Sequence, residues 1–387
     1  MNIIFTIGDI YGIGFEVFVK ALSSNPSWFN SHKFSIVANK NILAKLLTVH
    51  SKIEQENNTT QKIWTNCKIS NNSLMINDNE KKTIDIIEIK NRKFKKIETE
   101  LANELNAHID KIGRNDNIVN NNIIQNGFGK ISQYAGTFAY HSIIEATELV
   151  ISKQFDALVT LPVSKEAIHI NEKNFIGHTE TIANLCKRKN GLMILFADNL
   201  QICNTSSHSK SIRMALATTH IPIHSISKRI TSKKLRLLIK KFNDSLKYDF
   251  GVEFPSIAVL GLNPHSSDNS MFGNEEAKII LPAIEIMKRK GINVVGAFAA
   301  DGFFANRTYL NFDGVIAMYH DQGLIPLKML ANGGGVNFTA DLQIVRTSPA
   351  HGTAFEIAGK GIANPQSMFD AINAAIAISQ NRCSRNC

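Results

Sequence analysis

The chain contains 387 residues, with 43 Lys and Arg against 33 Asp and Glu, so its formal net charge is +10. No stretch approaches the roughly 18 continuous apolar residues of a membrane span, and the start, MNIIFTIGDIYGIG, lacks the basic and apolar regions of a secretion signal. We therefore expect a cytoplasmic protein with no membrane partner. The lysines are dispersed and form no basic stripe with interleaved aromatics, so we also expect no nucleic-acid partner.

The N-terminal part predicts a strand, a glycine turn and a helix in succession. Residues 2–8, NIIFTIG, form a short apolar run, and the glycines of GDIYGIGFEVFVKAL lead into a helical pattern. A second strand is predicted at 34–38. The polar stretch from 52 to 96 has only short apolar groups, which is typical of a surface insertion or of short edge strands.

The pattern sharpens from residue 127 onward. GTFAYHSIIEATELVISK predicts a helix, and several apolar runs predict strands with helical stretches between them. Such alternation indicates an α/β architecture on a mostly parallel or mixed sheet, in which ligands gather beyond the carboxyl ends of the strands. The strand candidates are residues 155–163, 191–197, 213–220, 256–265 and 312–321.

Three of these strand candidates end in histidine, namely His220, His265 and His320. A histidine at one strand end is usually structural or incidental. Three at equivalent points of one sheet could converge, and three imidazoles with an open position are the ligand set of a catalytic divalent metal. Both interpretations stay open on the residues alone.

Three polar side chains downstream of these histidines could bind an anion. Lys328, Asn337 and Arg346 follow His320 in the chain. A guanidinium binds phosphate or carboxylate in a planar fork, and an ammonium acts as a point charge. The alternative is that Lys328 and Arg346 are ordinary surface charges.

Nine ordered motifs give the chain a specific resemblance. Together they resemble the 4-hydroxythreonine-4-phosphate dehydrogenase family of pyridoxal phosphate biosynthesis, over residues 1–40 and about 127–375. The motifs are GDIYGIGFEV, LVTLPVSKEAI, FIGHTETIA, ALATTHIPI, GLNPHSSDNSMFGNEE, AADGFF, AMYHDQGLIPLKML, GGGVNFT and RTSPAHGTAFEIAGKG.

The resemblance implies roles for the residues that match the family's motifs. It implies that the three histidines bind one divalent metal, with zinc, magnesium, manganese, cobalt and nickel left open. It also implies a homodimer. The substrate-binding residues it implies are His178, Thr179, Lys328, Asn337 and Arg346. The catalytic candidates are Asp321, Asp301 and Lys328, although an aspartate beside a metal-binding histidine can instead orient the imidazole.

The segment HGTAFEIAGKGIANP (351–365) resembles the cofactor loop of the wider isocitrate and isopropylmalate dehydrogenase superfamily, which holds NAD or NADP without a Rossmann fingerprint. His351, Gly352 and Asn364 are the cofactor-binding candidates. The alternative is a glycine-rich structural turn. The resemblance further implies two α/β/α domains with mixed sheets, isopropylmalate dehydrogenase-like, and an active site in the interdomain cleft. The predicted domains are 1–130 with 331–387, and 131–330.

The implied reaction is metal-dependent oxidation of 4-phosphooxy-L-threonine with NAD or NADP. The product, 2-amino-3-oxo-4-phosphooxybutanoate, would lose carbon dioxide to give 3-amino-2-oxopropyl phosphate, in pyridoxine 5'-phosphate biosynthesis. The chain departs from the family pattern in GDIYGIGFE, TLPVSKE and NPHSSDNSMFG. These departures leave two alternatives: a dehydrogenase of threonate or erythronate 4-phosphate on the same fold, and a catalytically silent metal- and nucleotide-binding protein.

Overall fold

A computed structural model describes residues 1–56, 64–76, 82–90, 94–112, 128–188, 191–198, 200 and 211–384. The chain forms two compact units. The first comprises Met1–Asn190 and Gln343–Ile376, and the second comprises Gly191–Leu342 and Ala377–Cys387. These units differ from the predicted domains at two places: residues 131–190 belong to the first unit, and residues 331–342 and 377–387 belong to the second.

Strands and helices alternate along most of the described chain. The strands are β1 (Asn2–Thr6), β2 (Lys33–Ala38), β3 (Lys68–Ser70), β4 (Ser73–Met75), β5 (Thr83–Glu88), β6 (Ala157–Val159), β7 (Leu192–Ala197), β8 (Ile212–Leu216), β9 (Ser256–Leu260), β10 (Asn293–Phe298), β11 (Gly314–Ala317), β12 (Val336–Ala340) and β13 (Val345–Pro349). The helices are α1 (Gly14–Ser24), α2 (Lys40–Glu56), α3 (Phe94–Ile112), α4 (Gln133–Ile151), α5 (Lys165–His169), α6 (His178–Leu185), α7 (Ile226–Arg229), α8 (Ser232–Tyr248), α9 (Leu281–Arg289), α10 (Ala300–Ala305), α11 (His320–Ala331) and α12 (Gln366–Ser384).

The sheet of the first unit has the strand order β13-β6-β1-β2-β5-β4-β3. Strands β13 through β5 are parallel, and β4 and β3 add to the edge in antiparallel fashion. The prediction of short edge strands in the polar stretch is thus confirmed. That stretch also leads into α3, whose buried Leu101 and Leu105 form a narrow apolar stripe that the surrounding polar residues conceal in the sequence.

The sheet of the second unit has the strand order β10-β9-β11-β8-β7-β12. Strands β10, β9, β11 and β8 are parallel, whereas β7 runs antiparallel to both β8 and β12. The mixed α/β prediction is therefore confirmed. The predicted strands were too long at their carboxyl ends, because β8, β9 and β11 end three to five residues before the histidines that follow them.

No helix among the described residues is both long and apolar enough to cross a membrane. In the first unit, the short apolar strands of the sheet are buried on both faces, as is typical of parallel sheets. Ile3, Ile4 and Phe5 of β1 are fully buried.

His50 on α2 makes the stability of the first unit sensitive to acid. Its ring is 4 % exposed and stacks on Trp64 with ring centroids 4.0 Å apart. Burial, and secondarily the charge of Lys20, lower the pKa of His50 to about 3. Below about pH 6.5, His50 is therefore protonated in the unfolded chain but stays neutral in the native state. The free energy of unfolding falls as the pH drops below that value.

In the wild type, His50 should lower the free energy of unfolding by about 1.4 kcal/mol for each pH unit between about 6.5 and 3. We expect His50→Phe to remove this pH dependence. Urea unfolding at pH 7.5, 6.0 and 5.0 measures this difference in slope. His224, an exposed histidine, provides the control substitution His224→Phe, which should leave the slope unchanged. Equal slopes for the wild type and His50→Phe would contradict the prediction.

Candidate active site

The three predicted metal ligands follow three neighbouring strands of the second unit. His220 comes after β8, His265 after β9, and His320 after β11. The strand order β9-β11-β8 places β11 in the middle, and all three strands are parallel. The carboxyl ends of parallel strands meet at one edge of a sheet, so all three histidines belong to the same edge.

Two of the histidines form a pair. The ring centroids of His220 and His320 lie 5.5 Å apart. Two imidazoles bound to one ion through nitrogen–metal bonds of about 2.0–2.1 Å have ring centres roughly 5 Å apart. Nδ1 of His320 is 2.6 Å from Oδ1 of Asp321, which leaves Nε2 for a metal. The pair therefore fits two coordination positions of a divalent ion.

The third histidine stands apart from this pair. His265 is exposed in the turn Pro264–Ser267, and its ring centroid lies 6.3 Å from that of Phe272. The six residues from His265 to Ser270 all have positive φ although none is glycine. Within the described part of the chain, no group of three or more His, Cys, Asp or Glu side chains is arranged to hold a metal. In this structure His265 therefore does not join the other two histidines as a third ligand.

The two candidate bases differ in their contacts. Asp321 is exposed but hydrogen-bonded to His320, an arrangement that orients the imidazole. Asp301 is exposed in the first turn of α10, and its carboxylate makes no hydrogen bond or ion pair with a described residue. The geometry thus favours the orienting role for Asp321, and the choice of general base stays a prediction.

Arg346, on β13 of the first unit, is a buried cation rather than a surface charge. It is 2 % exposed, and its Nε and Nη2 donate to Oγ1 of Thr160 at 3.1 and 2.6 Å. Burial lowers the pKa of Arg346 to about 10, against the opposing influence of Glu180. An anionic group beside this guanidinium would offset the cost of burying its charge.

His178 begins helix α6, and Thr179 follows it. Burial, followed by the charges of Arg346 and Lys165, holds the pKa of His178 well below its usual range. The imidazole is therefore neutral at pH 7. Its Nε2 is buried and has no hydrogen-bond partner among the residues that the structure describes, so this nitrogen is available to a bound ligand.

Lys165, which was not among the predicted site residues, lies close to His178. It is the first residue of α5, just after Ser164, whose hydroxyl accepts a hydrogen bond from Ala167 N at 3.1 Å. Its Nζ lies 3.4 Å from the position that a Cβ on Gly177 would occupy, one residue before His178. In the sequence, Lys165 lies in TLPVSKE, six residues after the end of β6.

Asn337 and Lys328 belong to the second unit. Asn337 lies on β12 opposite Leu195, and its Oδ1 is buried without a hydrogen-bond partner in the described part of the chain. Lys328 is exposed in the last turn of α11, eight residues after His320 and so about 12 Å further along the helix axis. Its exposure is also what an ordinary surface lysine would show.

The predicted cofactor loop is anchored within the first unit by helix α1. Glu16 accepts a hydrogen bond from Ala363 N at 3.0 Å, and Lys20 Nζ donates to the carbonyls of Gly361 and Ala363 at 2.8 and 3.0 Å. Lys20 also pairs with Glu16 at 2.7 Å. These two residues hold the chain directly before Asn364.

The three cofactor candidates occupy different places in this loop. Nδ1 of His351 lies 3.0 Å from the carbonyl oxygen of Gly352. Gly352 is exposed, and a Cβ there would meet only open space. Oδ1 of Asn364 accepts from Gln366 N at 2.9 Å at the start of α12, so its carbonyl has a structural role and its amide NH₂ remains for a ligand.

Comparison with known proteins identifies the family. The family of the pyridoxal phosphate biosynthetic protein PdxA matches residues 34–375. The chain belongs to the PdxA family. It is 44% identical over 256 residues to 4-hydroxythreonine-4-phosphate dehydrogenase of Bacteroides thetaiotaomicron, covering 66% of this chain and 67% of the relative. The resemblance noted in the sequence is thereby confirmed.

Two further relatives agree with this family assignment. D-threonate 4-phosphate dehydrogenase of Pectobacterium atrosepticum is 38% identical over 251 residues, covering 65% of this chain and 73% of the relative. The crystal structure of 4-hydroxythreonine-4-phosphate dehydrogenase from Klebsiella pneumoniae aligns with a TM-score of 0.68 at 28% identity, covering 98% of this chain and 99% of that one. Because these relatives are dehydrogenases, this PdxA chain is an oxidoreductase enzyme.

Proposed function

We propose that the chain catalyses the NAD- or NADP-linked, metal-dependent oxidation of 4-phosphooxy-L-threonine in pyridoxine 5'-phosphate biosynthesis. The first product is 2-amino-3-oxo-4-phosphooxybutanoate, which loses carbon dioxide to give 3-amino-2-oxopropyl phosphate. The observation that carries the proposal is the buried guanidinium of Arg346 beside the neutral imidazole of His178. A phosphorylated or carboxylated substrate supplies the anion that this buried cation favours.

The chain's residues divide the work of binding. Arg346 binds one anionic group of the substrate, and Lys165 adds a second positive charge next to His178. The neutral His178 exchanges a hydrogen bond with a substrate hydroxyl or phosphate through Nε2, and Thr179 contributes its hydroxyl. In the second unit, Asn337 supplies an amide to the substrate and Lys328 a charge.

The histidines and the 351–365 loop are assigned to the metal and the dinucleotide. His220, His265 and His320 would hold the metal, and His351, Gly352 and Asn364 the dinucleotide. When bound, the divalent ion supplies Lewis-acid chemistry and the nicotinamide accepts hydride. Asp321 keeps His320 oriented, and Asp301 is then the candidate that removes the hydroxyl proton.

We also propose that the enzyme is a cytoplasmic homodimer. Three apolar side chains that lie close in sequence to the histidines support the homodimer, because they are exposed and a second copy of the chain would cover them. Ile223 is 82% exposed, Met271 is 73% exposed and Met329 is 77% exposed.

Reduction of NAD at 340 nm tests the function. The purified chain, supplied with divalent metal, is assayed with 4-phosphooxy-L-threonine and in parallel with a chelator. Chelator-sensitive turnover is expected, and NADP replaces NAD in a second series. Bound metal and nucleotide without reduction on any phosphorylated hydroxy acid would instead identify a catalytically silent binding protein.

A second candidate keeps the chemistry and changes the substrate. A relative 38% identical to this chain is named D-threonate 4-phosphate dehydrogenase, and TLPVSKE departs from the pattern of the family. Threonate and erythronate 4-phosphate lack the amino group, so they need no partner for an ammonium. Turnover on these acids alone, in the same assay, would favour this candidate.

A further inference from the structure

We propose that Thr218 and Gln322 form a hydrogen-bonded brace that sets the spacing of the histidine-bearing strand ends and so positions the metal ligands. The inference rests on the proposed function, because it concerns the metal site of the same enzyme. Neither residue is assigned as a ligand. Both act through the backbone segments that carry His220, His265 and His320.

The brace consists of three short hydrogen bonds, of which two involve Met318 and the third joins Gln322 to Gly261. Oγ1 of Thr218 donates to the carbonyl of Met318 at 2.7 Å. The amide nitrogen of Met318 donates to Oε1 of Gln322 at 2.7 Å, and Nε2 of Gln322 donates to the carbonyl of Gly261 at 2.7 Å. One side-chain amide, used as both acceptor and donor, thus joins the segments after β9 and β11, and Thr218 adds the segment after β8.

Each contact lies a fixed, short distance along the chain from a histidine. Thr218 is two residues before His220, and Met318 is two residues before His320. Gly261 is four residues before His265. Thr218 and Met318 are buried, so these bonds are shielded from competing water. The brace therefore acts on all three ligand-bearing segments at once.

The brace begins where the backbone ladder ends. Paired residues of β11 and β8 run up to Ala317 and Leu216, and those of β11 and β9 up to Ile316 and Val259. One more backbone bond, from Ala217 N to the carbonyl of Ala317 at 2.8 Å, precedes Thr218. Beyond that point the strand ends would be free to separate, and side chains take over the cross-links.

A buried carboxylate holds the segment between Gly261 and His265 by further hydrogen bonds. Glu276 is 3 % exposed, and its Oε1 accepts from the amides of Leu262 and Asn263 at 2.7 and 2.8 Å. Its Oε2 accepts from Nδ2 of Asn263 at 2.9 Å. The two residues after Gly261 are therefore fixed as well, and the freedom of His265 is confined to its own turn.

Metal affinity of the full-length chain tests the brace. The chain is stripped with EDTA, and Co²⁺ and Zn²⁺ are then titrated against a chromophoric chelator. Gln322→Glu keeps the acceptor for Met318 N but loses the donor to the carbonyl of Gly261, and Thr218→Val loses the hydroxyl that donates to the carbonyl of Met318. We expect each to weaken the binding of both ions about tenfold or more, as is typical for residues that orient metal ligands. Thr218→Ser keeps the hydroxyl and should bind within about twofold of the wild type.

Thr231→Val serves as the matched control, because Oγ1 of Thr231 caps α8 by accepting from Lys234 N at 3.3 Å and takes no part in the three hydrogen bonds of the brace. It should lower the melting temperature without changing metal affinity. Wild-type affinity in folded Gln322→Glu and Thr218→Val overturns the brace. A wild type that binds neither ion overturns the metal site and the brace with it. Metal binding without turnover refutes the proposed reaction, and weakened binding in the two variants then still supports the brace.

Discussion

Replacement of Arg346 with lysine is expected to lower kcat/KM for the phosphorylated substrate by about 10²- to 10³-fold, equivalent to about 3–4 kcal/mol. The guanidinium is buried and donates twice to Thr160. A lysine ammonium keeps the charge but cannot reproduce this planar pair of donors, and it presents a point charge to an oxyanion that a guanidinium binds in a fork. Initial rates over a range of substrate concentrations measure the effect.

Arg382→Lys separates this loss from general destabilisation. Arg382 also uses its guanidinium internally, donating from Nε to Oδ1 of Asp249 at 2.7 Å, but Asp249 is no part of the candidate site. The control should therefore lower the melting temperature with kcat/KM nearly unchanged. If Arg346→Lys retained more than about a third of wild-type kcat/KM, a shift too small for a lost charged contact, Arg346 would not bind substrate.

Removal of either paired histidine is expected to abolish metal-dependent turnover. We expect His220→Ala and His320→Ala to lose stoichiometric metal and to lower kcat by about 10³-fold or more, because each removes one of the two imidazoles whose rings lie 5.5 Å apart. Metal content after dialysis, measured with kcat on the same preparation, tests both effects. Added metal should restore only a small part of the activity.

His224→Ala is the control for this pair, since His224 is exposed in the same segment four residues after His220. It should keep both metal and turnover. Full metal content and wild-type kcat in His220→Ala would show that His220 is no ligand. Loss of metal in His220→Ala and His320→Ala with retention in His265→Ala would define a site built on the pair without the third histidine.

The ends of three strands differ between the sequence prediction and the structure. The apolar runs predicted β8, β9 and β11 correctly but carried each strand through to its histidine. In the structure the strands stop earlier, because the residue-by-residue pairing of neighbouring strands ends at Leu216, Leu260 and Ala317. An apolar run indicates which residues are buried. A strand ends where the neighbouring strand no longer pairs with it, and the neighbouring strand is known only from the folded chain.

Arg346 and Gln322 illustrate the same limit for single side chains. The sequence identified Arg346 as an anion-binding candidate but could not distinguish it from a surface charge, and burial against Thr160 made that distinction. Gln322 follows His320 and Asp321 closely, but no feature of the sequence indicated a role for it. Its role follows from Gly261, which lies 61 residues away along the chain and is brought to it by the packing of β9 against β11.

The sequence by itself determined the α/β class, the order of most strands along the chain, the family and the residue types available for metal, anion and dinucleotide. These depend on local periodicity and on short motifs, which are written in consecutive residues. Only the tertiary structure decided that His220 and His320 form a pair while His265 stands apart, and that Lys165 lies beside His178. Such neighbours come from different strands and turns, and their proximity is set by strand order, parallel direction and the burial of distant side chains.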